Sequence, residues 1–101
     1  MYKITYLPVA IKDLTEIVDY LVDEVEAPQA AEKFLDKLDH TVLRLAEFPF
    51  SCKVYNPINE MEFEYRQLVI QNYLVFYIVK ERTVEIQRII SSRMDIEKII
   101  K

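Results

Sequence analysis

Residues 73–80 read Tyr73-Leu-Val-Phe-Tyr-Ile-Val-Lys80. This stretch is apolar on both faces, so as a strand it belongs in the middle of a sheet, covered on both sides. Just upstream, residues 62–71, Glu62-Phe-Glu-Tyr-Arg-Gln-Leu-Val-Ile-Gln71, begin in strict alternation of polar and apolar side chains. Just downstream, residues 83–90, Thr83-Val-Glu-Ile-Gln-Arg-Ile-Ile90, alternate again. Gln71-Asn72 and Glu81-Arg82 are the connections expected between them, so three consecutive antiparallel strands are expected. The chain contains no glycine. Turns that need positive φ are therefore expected to use Asn or Asp or to be avoided, and Asn72 is expected to take the left-handed conformation. Residues 51–55 are a further, weakly patterned strand candidate.

The period changes upstream. Residues 2–7 alternate as a short strand that Pro8 stops. Residues 9–25 place Leu14, Ile17, Val18, Leu21 and Val25 on one stripe, the signature of an amphipathic helix. Pro28 opens a second helix, residues 28–47, with Ala31, Phe34, Leu35, Leu38, Val42 and Leu45 on its stripe. The short gap between the two implies an antiparallel helix hairpin. Ser92, with Asp95 three residues on, is a candidate cap for a short terminal helix. The expected fold class is α+β: an N-terminal strand, an antiparallel helix hairpin covering one face, then a C-terminal antiparallel β-meander, in the order β-α-α-β-β-β. Residues 1–101 are the size of one domain.

Composition narrows the function. At 51 % hydrophobic and 30 % charged, the chain is not of the disordered class. Its longest apolar run, Tyr73 to Val79, is too short to span a bilayer, and the N-terminus has no signal-peptide pattern. The single cysteine, Cys52, cannot form an internal disulfide, so a cytoplasmic location is expected. The net charge of −4 is uneven: residues 1–52 carry five Lys/Arg against ten Asp/Glu, residues 53–101 eight against seven. Such a chain gains little from counterion release, so no direct specific DNA binding is expected. Asp13, Glu16, Asp19, Asp23 and Glu24 lie mostly off the first helix's stripe and read as a solvated face. The alternative is a surface that repels nucleic acid or attracts a basic partner.

Taken in order, several segments resemble the RelE/ParE toxin superfamily. They are Tyr2-Lys-Ile-Thr-Tyr6 with Pro8-Val-Ala10, Asp13-Leu-Thr-Glu-Ile-Val-Asp-Tyr-Leu21, Pro28-Gln-Ala-Ala-Glu-Lys-Phe34 and Leu45-Ala-Glu-Phe-Pro49. Tyr65-Arg66-Gln-Leu-Val-Ile-Gln-Asn-Tyr-Leu-Val-Phe-Tyr77 resembles the family's paired central strands, and Val84 to Asp95 its last strand and the segment beyond it. The resemblance implies the toxin of a type II toxin–antitoxin pair, of the plasmid stabilisation type, neutralised by a cognate antitoxin protein. ParE-like members inhibit DNA gyrase. RelE-like members are endoribonucleases that act on mRNA at the ribosome.

The ribonuclease chemistry needs a base, an acid and cations around a developing phosphorane charge. RelE-like members draw these from strand Lys and Arg and from a Tyr or His near the C-terminus. Here Arg66 and Arg93 are the candidate catalytic cations. Leu74 stands where that pattern often has arginine, and no Tyr or His follows Arg93. These departures favour the gyrase inhibitor, a protein inhibitor rather than an enzyme. The ribosome-dependent endoribonuclease is the alternative, and an inactive antitoxin-binding relic a third. Lys53, Arg66, Arg88 and Arg93 are the candidate partner-binding residues. Each also has a structural reading. Lys53 would be a surface charge, Arg66 a strand arginine paired with Glu62, Glu64 or Glu85, Arg88 a cation snorkelling at the sheet edge, and Arg93 a helix-start arginine. His40 is off its helix's stripe with no ligand set around it, so no metal and no cofactor are expected. Cys52 lacks an activating base nearby in sequence. Tyr65, Tyr73 and Tyr77 are expected to pack in the sheet rather than stack bases. The expected antitoxin surface is the apolar groove between the helix hairpin and the sheet edge.

Overall fold

A computed structural model describes residues 1–55, of Tyr55 only the backbone, and residues 64–91. The chain forms β1 (Lys3–Tyr6), α1 (Pro8–Asp19, continued by a wider π turn over Tyr20–Glu24), α2 (Pro28–Glu47), β2 (Lys53–Tyr55), β3 (Tyr65–Ile70), β4 (Tyr73–Lys80) and β5 (Thr83–Ser91). The sheet order is β1-β5-β4-β3-β2. From β2 to β5 each strand pairs antiparallel with the next, while β1 adds parallel to β5, with Tyr6 opposite Ile86. The α+β expectation holds, with the first strand making the sheet mixed.

β4 is the middle strand, and Val75, Phe76, Tyr77 and Ile78 are all buried, as its two apolar faces demand. On one face Val75 and Tyr77 join Ile70, Val84, Ile86 and Ile89 beneath Ala10, Ile17, Phe34, Leu38, Val42 and Leu45 of the helices. Ile86 and Ile89 both reach this core although they are three positions apart. The pairing slips by one residue between Phe76–Arg88 and Tyr77–Ile86, leaving Gln87 unopposed on β5. This bulge re-aims the end of β5.

Both helices start on proline with no side-chain cap. The carbonyls of Leu7 and Ala27 accept the first amide bonds instead. The end of α1 departs from expectation. Val25 N–H bonds the Tyr20 carbonyl at 3.0 Å, five residues back, and Ala27 N–H bonds that of Leu21 at 2.8 Å, six back. The π turn inserts about one residue and rotates the apolar stripe by roughly 100°. Val25 is consequently exposed, as is Leu35 on α2. Glu26 closes the helix at φ 55°, in the left-handed region that a glycine usually occupies just past a helix end.

The other positive-φ residues are Gln71 and Glu81, both at φ 57°. This corrects two expectations: Asn72 is not the left-handed residue, and none of the three is Asn or Asp. Ile70 pairs with Tyr73 and Lys80 with Thr83, so each hairpin turn has two central residues. Tight strand pairing places positive φ at the first of them, whatever residue stands there. The expected terminal helix from Ser92 and the start of the 62–71 strand at Glu62 and Phe63 lie outside the described residues.

Candidate functional site

Arg66 and Tyr77 are direct cross-strand partners on β3 and β4. Together they hold the connector that follows α2. Tyr77, fully buried, donates its hydroxyl to the Pro49 carbonyl at 2.8 Å. Arg66 Nη1 donates to the carbonyls of Cys52 at 2.8 Å and Phe50 at 3.3 Å, and its guanidinium lies 5.1 Å from the Phe50 ring centre. Arg66 Nη2 reaches the exposed Glu64 carboxylate at 2.8 Å, one of the three glutamates expected for it. That surface ion pair adds little stability. Burial, then the contact with the Cys52 side chain, push the Tyr77 hydroxyl well above its ordinary 10.0. It therefore stays neutral and keeps its donor bond.

Arg88 lies on β5 just past the end of the β1 pairing, and there α1 rather than a strand meets it, so it does not snorkel at an open edge. Its Nε and Nη2 donate to the two Asp13 carboxylate oxygens at 2.7 and 2.9 Å. The same Asp13 oxygen that receives Nε also accepts the Ile89 backbone N–H at 3.0 Å. β1 stops at Tyr6, and Leu7 N–H still bonds the Ile86 carbonyl. Asp13 then takes up the Ile89 amide of β5, beyond the end of the β1 pairing. The Asp13 hydrogen bonds, backed by its charge and that of Glu16, hold Arg88 above its ordinary pKa against the opposing effect of burial.

Asp13 is thus not part of a solvated face. It is buried, in line with Ala10 and Ile17 at helical spacing. The sequence carried the signal: an acid in phase with buried positions on α1 and a lone arginine inside an apolar strand are natural partners. Of the other candidates, Lys53 is exposed on the outer strand β2, and Arg93 lies outside the described residues. Arg66, Arg88 and Lys53 are not brought to one point: the first two serve different ends of the core. His40 is exposed and donates Nδ1–H to the Asp36 carbonyl at 2.8 Å. Cys52 is partly buried beside the Ser51 hydroxyl. Tyr73 packs edge-on against Phe34, ring centres 5.1 Å apart. Among the described residues, no helix is long and apolar enough to cross a membrane.

Among the described residues, two concavities bear on partner binding. One, of about 420 Å³, lies where α2 ends, between Tyr2, Glu47, Phe48, Pro49, Phe50 and Ser51. Phe48 and Phe50 stand 59 % and 57 % exposed there, and Tyr2 meets Phe50 edge-on at 6.4 Å with Arg82 against its ring. It is formed by the end of α2, the connector after it and Tyr2, and so does not lie between the helix hairpin and an edge strand, where the apolar groove was expected. The second, of about 350 Å³, lies between α1 with its π turn and the ends of β4 and β5.

A family model described as the ParE toxin of type II toxin–antitoxin system, parDE, matches residues 4–96. Among solved structures, a chain of the chromosomal ParDE TA system from P. aeruginosa has a TM-score of 0.70 and 22 % sequence identity, covering 90 % of this chain and 96 % of that one. At that identity the likeness is one of fold. No curated protein is similar enough in sequence to count as a match.

Proposed function

The chain belongs to the ParE toxin family of type II toxin–antitoxin systems, and from that premise we propose that it inhibits DNA gyrase in the bacterial cytoplasm and is neutralised by a cognate antitoxin. Beyond the family, one observation carries the choice of target. The two strand arginines are consumed inside the fold, Arg66 by its own chain's carbonyls and Glu64, Arg88 by Asp13. A ribonuclease needs such cations turned towards phosphate. A net charge of −4 also disfavours approach to a phosphate-dense ribosome.

The antitoxin's place is the groove at Phe48 and Phe50. Exposed aromatic rings beside a concavity are the usual anchors of protein partners. Here Arg66 and Tyr77 fix the connector carrying them, so little ordering cost remains at binding. In this role Arg66 is a positioning residue.

The test is supercoiling of relaxed plasmid by purified gyrase with ATP. Excess folded protein is expected to abolish supercoiling, and equimolar antitoxin to restore it. Undiminished supercoiling overturns the proposal. If, in addition, mRNA is cut on translating ribosomes, the endoribonuclease reading replaces it.

A further inference from the structure

We propose that the cleft between α1 and the ends of β4 and β5 receives a cationic side chain, an arginine, from a protein partner. Asp13 and Glu16 line it from α1, Tyr20 from the π turn, Tyr73 from the start of β4, and Arg88 and Ile89 from β5. Its volume of about 350 Å³ lies in the range of ligand-holding clefts, roughly 300–1,000 Å³, and takes one long side chain with room to spare.

The charge count decides what enters. Asp13 and Arg88 cancel through their two hydrogen bonds. Glu16 is exposed and acts on Arg88 through its charge without a hydrogen bond or ion pair of its own among the described residues, so Asp13 and Glu16 against Arg88 leave the lining a net negative charge. Tyr20 is 54 % exposed and close enough to Tyr73 to act on its hydroxyl electrostatically. Two phenol rings beside a carboxylate attract a guanidinium twice, through the ring faces and through the charge. An anion would meet Glu16 and find Arg88 already forked onto Asp13. An apolar side chain would desolvate Glu16 with nothing in return. Arginine suits the cleft better than lysine because its planar, weakly hydrated head can stack and fork at once. The local acidity follows the larger pattern, since residues 1–52 carry ten Asp/Glu against five Lys/Arg.

The cleft's preference for a cation does not depend on the gyrase and antitoxin reading; under that reading the antitoxin supplies the side chain. The probe is N-acetyl-arginine amide, titrated into the isotope-labelled full chain and followed by amide chemical shifts. N-acetyl-norleucine amide and N-acetyl-glutamate amide are the neutral and anionic comparisons. Saturable shifts are expected at Tyr20, Tyr73 and Arg88 to Ser91, with a dissociation constant on the order of millimolar and binding about fivefold tighter than for either comparison. Glu16→Gln, at an exposed position that leaves the fold intact, is expected to weaken arginine amide by about threefold to fivefold. No saturable shift, equal binding of the norleucine or glutamate amide, or an unchanged affinity in Glu16→Gln each overturns the proposal. None of these outcomes bears on the supercoiling assay, so the two readings fail separately.

Discussion

Replacing Asp13 by alanine removes an acceptor of three hydrogen bonds, two from Arg88 at 2.7 and 2.9 Å and one from Ile89 N–H at 3.0 Å. The magnitude depends on the partner each donor can find afterwards. The Arg88 side chain is 24 % exposed and regains water, so the loss of its bonds is worth about 1–2 kcal/mol, below the figure for a sealed ion pair. Ile89 is 1 % exposed, and its orphaned amide costs about 1–2 kcal/mol more. The sum, about 3 kcal/mol, is a large share of the 5–15 kcal/mol typical of a whole domain. It corresponds to a melting point lower by about 12–20 °C at this size. Asp13→Asn keeps an acceptor for Ile89 and should lose about half as much.

Arg88→Met leaves a carboxylate only 9 % exposed with one backbone donor, and should cost about 2–3 kcal/mol. The double variant Asp13→Ala with Arg88→Met strands no charge. It should be less damaged than the single changes added together, by about 2 kcal/mol. Urea unfolding followed by circular dichroism measures all four. A loss below about 1 kcal/mol in Asp13→Ala, or simple additivity in the double variant, would refute the reasoning.

Three further outcomes are expected. Glu26, Gln71 and Glu81 hold positive φ without being glycine. Each Gly replacement should raise stability by about 0.5–1 kcal/mol, the relieved strain less the added freedom of the unfolded chain, and a lower urea midpoint in any of them would count against that strain. Tyr6, Tyr73 and Tyr77 all have hydroxyls raised above the ordinary 10.0, chiefly by burial. Because the fold favours their neutral forms, their contribution is intact below pH 10 and lost as pH rises through the folded values. Melting points taken through the alkaline range should fall beyond that point, and less steeply in Tyr77→Phe. Phe48→Ser alters an exposed ring that donates and accepts nothing, so the melting point should hold within about 0.5 kcal/mol of stability. Calorimetric titration with the antitoxin should meanwhile show at least about tenfold weaker binding; unchanged affinity removes the groove from the antitoxin's footprint.

The elements that were legible in the sequence are those whose burial is fixed by local periodicity. A strand apolar on both faces had to be central, and β4 is; a stripe at helical spacing had to face the sheet, and Phe34, Leu38, Val42 and Leu45 do. Where the reading slipped, the cause lay in a backbone event that resets the period. The π turn put Val25 in solvent, and the unopposed Gln87 brought Ile86 and Ile89 to one side. The parallel pairing of β1 with β5 leaves no mark on either strand's own pattern.

The same distinction governs the charged residues. A sequence marks Arg66 and Arg88 as cations on strands and offers Arg66 its near neighbour Glu64, but the partners that bury them lie far off along the chain, at Phe50 and Cys52 for one and Asp13 for the other. Read locally they look available for phosphate; folded, they hold a connector and close a sheet. That change reverses the electrostatic argument as well. With both cations compensated internally, what α1 offers to a partner beside the β5 end is Glu16 and two tyrosines, and what the end of α2 offers is Phe48 and Phe50. Both surfaces suit protein chains carrying basic or apolar side chains better than a nucleic acid backbone, which is the physical ground for preferring an enzyme as the target over an RNA.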